Sequence, residues 1–224
     1  MRLIYSISKA LDKWLKTELP SFEGTRKGRK TLVSDANSLC WQLHIIDNCY
    51  QSSEKTIIAT EAHSRFTCFI PVTSSLTLSE LHQKLTMLWQ ALLVDMINAE
   101  RLCANSDAML LLSKLTDLPF DIQWVKNTDL SISGHITDAA LWVTQTLEQQ
   151  RSAAMSPNLA NNLAMNLNQQ VKRVKKRQEK FIPINRLFNY CQQITNDMFE
   201  AKSVEPVAEK FSGNVVKLSD YRKQ

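Results

Sequence analysis

Two hydrophobic periods run along this chain. Leu39, Trp41, Leu43 and Ile45 alternate with Cys40, Gln42 and His44, the spacing of a strand with two unlike faces. Residues 2–7 read as a short strand before Ser8, which can cap a helix through Leu19 with Leu11, Trp14 and Leu15 on one face. Pro20 ends that helix, and the polar, basic stretch 21–30 reads as a surface loop. Lys55 to Thr60 and Arg65 to Val72 predict two more strands, and the tetrad Glu61-Ala62-His63-Ser64 between them predicts a hairpin.

At residue 77 the period changes. Thr77-Leu-Ser-Glu80 has the form of a capping box. Leu78, Leu81, Leu85, Leu88, Leu92, Met96 and Ala99 then recur at three and four, which predicts an amphipathic helix to about Leu102. A shorter helix is expected over Asp107 to Leu115, a strand over Asp121 to Lys126, and a further helix on Ile132, Ile136, Ala140, Val143 and Leu147. Beyond residue 150 the strand signals stop. Ser156-Pro157 makes a good start for a helix whose stripe is Leu159, Leu163, Leu167, Val171 and Val174. Pro183 can open the last helix, with Ile184, Leu187, Phe188, Cys191, Ile194 and Met198 on its face. The fold class expected is α+β, a small mainly antiparallel sheet packed with helices and followed by a helical C-terminal region. The expected organisation is an α+β domain over 1–150, a helical extension over 151–200 and a flexible tail over 201–224, without internal repeats.

Composition narrows the function. Only four glycines stand in 224 residues, which argues against glycine-rich phosphate loops and dinucleotide folds. No apolar run approaches a membrane span, and Lys9, Asp12 and Lys13 arrive too early for a secretory signal. The five cysteines include no C-x-x-C, so reduced thiols in a cytoplasmic protein are expected, without cofactor or membrane partner. Cys40-x3-His44-x4-Cys49 and His63-x4-Cys68 hold ligand types for zinc, yet at spacings outside the usual patterns. Core side chains explain them as well. Cys68 and His63 form a conceivable nucleophile and base of a kind that arises often by chance. No G-x-S-x-G, H-E-x-x-H or nuclease-like carboxylate pattern is present, and an enzyme is not the leading expectation. Asp129, Ser131, Gly134 and Asp138 read as a capped helix start with a close-packed glycine, or as a small polar site.

The opening Met1-Arg-Leu-Ile to Lys16, Trp41 before Ile45-Ile46, Lys55-Thr-Ile-Ile-Ala-Thr, Ser64-Arg-Phe-Thr and the stretch Lys126 to Asp138 carry a resemblance. Together they resemble an uncharacterised family of short bacterial proteins, a domain of unknown function, over the chain to about residue 150. The resemblance implies a small α+β fold and no known activity. The basic loop before Trp41 and the long C-terminal region depart from it.

The strongest local feature is Lys172-Arg-Val-Lys-Lys-Arg-Gln-Glu-Lys180, set against a net charge of +5 for the whole chain. Read as a helix, it places Lys172, Lys176 and Lys180 in one row and Arg173 and Arg177 in the next, with Lys175 between. Like charges at that spacing cost a few tenths of a kcal/mol per pair, roughly, and phosphates would relieve them. Arg26, Lys27, Arg29 and Lys30 form a second basic cluster. Without interleaved aromatics, contact to nucleic-acid backbone with little sequence preference is the expectation. The leading reading is thus a non-enzymatic bacterial accessory protein that contacts DNA or RNA backbone through a basic helix. The alternative is a protein-interaction module using that helix and the tail anchors Val215, Val216, Leu218 and Tyr221.

Overall fold

The computed structural model describes residues 1–22, 31–50, 52–174 and 179–203. Five strands, β1 (Arg2–Ile7), β2 (Ser38–Asp47), β3 (Lys55–Glu61), β4 (Thr67–Val72) and β5 (Asp121–Lys126), form one sheet in the order β4-β3-β2-β1-β5. Its helices are α1 (Lys9–Leu15), α2 (Leu78–Glu100), α3 (Asn105–Thr116), α4 (Leu130–Gln149), α5 (Pro157–Gln169) and α6 (Pro183–Ser203). The chain is an α+β protein with a mixed sheet. β1 runs parallel to both β2 and β5, while β2, β3 and β4 make an antiparallel meander. The sequence shows the meander because its turn is local. It cannot show the two parallel pairings, whose crossovers pass through helices.

Alternation along β2 sorts the helices onto two faces. Trp41 meets Trp89 of α2, ring centroids 6.0 Å apart. On the same face the Tyr5 hydroxyl lies 2.9 Å from Nδ1 of His82. Gln42, pointing the other way, donates to Ser133 of α4 at 3.2 Å, and Nδ1 of His44 lies 2.8 Å from the Ser8 hydroxyl at the start of α1. One hydrophobic core runs from Leu3 to Ile194 and includes Leu163 and Leu167 of α5 and Ile184 and Leu187 of α6. α5 closes the β4 edge: Asn168, fully buried, accepts from Thr67 N–H at 2.8 Å and donates to Thr67 C=O at 2.9 Å.

Several elements start where their caps predict. Thr77 and Glu80 make the reciprocal capping box, and Ser156 caps α5 ahead of Pro157. α1 stops earlier than expected, at Lys16 in the left-handed region (φ 56°), where Thr17 donates to Asp12 at 2.9 Å. The basic run corrects the sequence reading most. α5 ends at Gln169, and Lys172–Val174 and Glu179–Phe181 form the antiparallel pair β6 and β7 rather than a helix. The repelling charge rows and the β-branched Val171 and Val174 weigh against a helix there. Val171, placed by the helical reading on the apolar stripe, is 58% exposed. Residues 204–224, with the tail anchors, lie outside the described residues. No helix among the described residues is long and apolar enough to cross a membrane.

Candidate functional site

The β3–β4 turn is built on a carboxylate. Glu61 is fully buried at the end of β3. Its Oε1 accepts from the Ser34 hydroxyl and from His63 N–H at 3.0 Å. Its Oε2 accepts from Ser64 N–H at 2.6 Å and the Ser64 hydroxyl at 2.5 Å. Those bonds fix the turn, and the chain passes through Arg65 at φ 62°, a conformation costly for a side chain other than glycine. Arg65 is thereby turned back over its own loop. Its Nη1 donates to Ala62 C=O and its Nη2 to the Ser131 hydroxyl at 3.1 Å. The buried Nε has no hydrogen-bond partner among the described residues.

Three further segments meet this turn. Asp129 caps α4 by accepting from Ser131 N–H at 2.7 Å, and its other oxygen accepts from Leu32 N–H at 2.8 Å. Its own N–H donates to Gln42 Oε1 at 2.7 Å, so β2, the 31–34 segment and α4 are tied at one point. From the other side comes Arg186, in the first turns of α6. Its Nε donates to His63 Nε2 at 3.1 Å, its Nη2 stands 3.3 Å from Glu179 Oε1, and its guanidinium lies 4.4 Å over the Phe181 ring. The bond to Arg186 makes His63 Nε2 an acceptor, which leaves the ring proton on Nδ1. Tyr190, stacked 5.7 Å from His63, anchors α6 by donating to Asp35 and Ser38 carbonyls.

These segments border a pocket of about 280 Å³ lined by Thr31 to Ser34, Ala62, His63, Arg65, Ser131, Glu179 and Arg186. Burial, and then the Arg186 charge, hold the His63 imidazole below its ordinary value, against the pull of Glu61 and Glu179. Burial also lowers Arg65, which Asp129 and Glu61 partly offset. Nearby, burial followed by the charges of Arg65 and Lys172 brings His135 down to about 4. The site is therefore a cleft of neutral imidazoles and fixed guanidiniums. Its two innermost carboxylates, Glu61 and Asp129, are turned onto N–H and hydroxyl donors.

Among the described residues, none of the basic side chains singled out from sequence lines this pocket. Lys172 is half-buried, and burial lowers it while Asp138 raises it. Arg173 and Lys180 are exposed and face each other across the β6–β7 ladder. Lys175, Lys176 and Arg177, like Arg26, Lys27, Arg29 and Lys30, lie outside the described residues. Along the chain, Lys30 is bonded to pocket-lining Thr31, and Arg177 comes two residues before pocket-lining Glu179. Arg65 and Arg186, the pair at the centre, were not singled out, because each is an isolated arginine in an unremarkable sequence.

Other candidates separate. Cys40 Sγ donates to Val33 C=O at 3.2 Å, while His44 bonds Ser8. Cys49 Sγ donates to Thr144 C=O at 3.5 Å, and Cys68 is fully buried on β4, apart from His63's bond to Arg186. All five cysteines are free, and burial raises the Cys40 thiol to about 12 and pushes those of Cys68 and Cys191 higher. Among the described residues no three His, Cys, Asp or Glu side chains gather in a way that could hold a metal ion. Asp129 does cap its helix, but a Cβ at Gly134 would meet nothing within 4 Å, so close packing does not explain that glycine. No family model matches the chain, and neither a curated protein nor a solved structure matches it.

Proposed function

We propose that this chain is a non-enzymatic accessory protein that binds the phosphate backbone of DNA or RNA in the cytoplasm, through the arginine-lined cleft and the basic segments 26–30 and 172–180. One observation carries the reading: Arg65 and Arg186 line a single pocket, and two of its other lining residues, Thr31 and Glu179, follow the basic clusters of the sequence along the chain. The short hairpin adds support. Arg173 directly opposite Lys180 puts like charges on a cross-strand pair, which destabilises a ladder unless an anion lies over it. Arginine forks and exposed lysines are the groups that engage phosphate oxygens, and each phosphate neutralised releases counterions. Binding is favoured over catalysis because the acids a hydrolytic site would use are occupied as acceptors, Glu61 by four donors and Asp129 by two.

The test is a titration of labelled duplex DNA and duplex RNA across a salt series, with the full chain and with R173Q/K180Q. Affinity should fall steeply with salt. The double variant should flatten the log–log slope by about 2 for duplex DNA, since each phosphate contact contributes about 0.9. Absence of binding at low salt, or an unchanged slope in the variant, overturns the proposal.

A further inference from the structure

Most protein contacts to a nucleic-acid backbone lie on open ridges or grooves, because an internal phosphodiester carries a sugar on each side and must enter and leave. This pocket has a different shape. The 31–34 segment, the 62–65 turn, Ser131 at the start of α4, and Glu179 with Arg186 line a recess of about 280 Å³. A phosphate at the end of a strand reaches into such a recess without the strand having to pass through it. We infer that the pocket receives the terminal phosphate monoester of a nucleic-acid strand, held between Arg65 and Arg186 with the Ser131 hydroxyl as a further donor. The inference rests on the nucleic-acid reading above and assigns its central contact.

The charges agree with a monoester. At neutral pH it carries about −1.5 to −2 and three oxygens free to accept, whereas an internal diester carries one charge and two such oxygens. Two guanidiniums line the pocket, and among the described residues the carboxylate in ion-pair contact with them is Glu179, 3.3 Å from Arg186 and partly exposed, while the charges of Asp129 and Glu61 also act on Arg65. Glu179 belongs to a strand of three residues in a two-stranded ladder, which is marginal by itself. It can therefore yield Arg186 to a better anion. Arg186 is already oriented for that exchange, since His63 holds its Nε and Phe181 supports its plane. Glu61 and Asp129 do not compete, because their oxygens serve backbone N–H groups of the surrounding loops.

The experiment compares one single-stranded DNA sequence in four forms: 5′-phosphate, 3′-phosphate, both ends hydroxyl, and a covalent circle. Each is titrated by anisotropy against the full-length protein at fixed salt, with R186Q and R186K alongside. The expected result is about tenfold or more tighter binding of one phosphorylated form, the worth of one charge-assisted pair. Whichever end gives the preference assigns strand polarity. R186K keeps the charge but not the fork, so it should lose most of the preference while its salt slope stays near that of the wild type. Equal affinity for all four forms overturns the terminal-phosphate site and leaves the backbone reading standing. No binding of any form at low salt overturns both. Should R186Q fold poorly, as thermal unfolding would reveal, R186K carries the comparison.

Discussion

Replacing Glu61 by Gln tests whether the candidate site rests on a single buried carboxylate. Glu61 accepts from four donors, two on each oxygen. Glutamine keeps one oxygen and turns an amide NH2 toward the other pair. If the NH2 faces the first pair, the Ser34 hydroxyl can rotate to accept, but His63 N–H cannot. If it faces the second, Ser64 N–H is stranded instead, and the Ser64 hydroxyl already accepts from Phe66 N–H at 3.1 Å. Either way a backbone donor at this fully buried position loses its acceptor, which costs about 1–3 kcal/mol. A charge-assisted bond is exchanged for a neutral one as well, and relief from burying the charge offsets part of that. The expected loss is about 2–3 kcal/mol, a fall in Tm of roughly 5–10 °C for a chain of this size. Urea unfolding followed by tryptophan fluorescence measures it, and E61Q within about 0.5 kcal/mol of the wild type would refute the account. Because the same bonds hold His63 and Arg65 in place, E61Q should also weaken oligonucleotide binding at temperatures where it remains folded.

Asn168→Ala removes the amide that pairs with both backbone groups of Thr67 at the β4 edge. Leaving those groups without partners should cost about 2–4 kcal/mol in denaturant unfolding, and a loss below about 1 would show that water or a neighbouring side chain replaces the amide. Acid stability offers a second check, with the sign set by His135, whose imidazole is lowered from 6.5 to about 4 by burial and then by Arg65 and Lys172. Between those values the unfolded chain binds a proton that the folded chain does not, so stability is intact above about pH 6.5 and falls toward pH 4. At about 1.4 kcal/mol per pH unit that interval amounts to roughly 3 kcal/mol, and screening at this partly exposed ring reduces it to about 1–2. H135Q should therefore lose about 1–2 kcal/mol less than the wild type between pH 7 and pH 4, and parallel curves would exclude the assignment.

Much of the fold was legible because its signals are local. Alternation through Leu39 to Ile45 marked β2, Thr77 and Glu80 marked the start of α2, and Pro157 and Pro183 marked α5 and α6. Each acts within a turn or two of chain, so the sequence displays it. The seating of β5 beside β1 is set by a long crossover through α2 and α3, and no residue of Asp121–Lys126 states which strand it will join. The 172–181 hairpin was missed for another reason. Its two strands have three residues each, too short for a period to show, and charge rather than alternation dominates them.

Asp129, Ser131 and His63 were visible as candidates in the sequence, but their assembly into one site was illegible for a reason that bears on what it does. Its parts come from residues 31–34, 61–65, 129–131, 179 and 186, and only the tertiary fold brings them together. Composition rules treat Glu61 as a surface acid, since buried carboxylates are rare unless paired, and the cap pattern at Asp129 does not show its tie to Leu32. Here each is buried and accepts from backbone donors, so each fixes a loop while its charge still acts on Arg65. The acid that does face Arg186 is Glu179, the single negative residue in the basic run from 172 to 180. In sequence it looks like a dilution of positive charge. In the fold it occupies the arginine that a phosphate would take, so its removal separates two accounts of the cleft. If Glu179 only stabilises the hairpin, E179Q should loosen the protein and leave oligonucleotide affinity unchanged or lower. If it stands in for a ligand, E179Q should bind a phosphorylated strand more tightly than the wild type at the same salt.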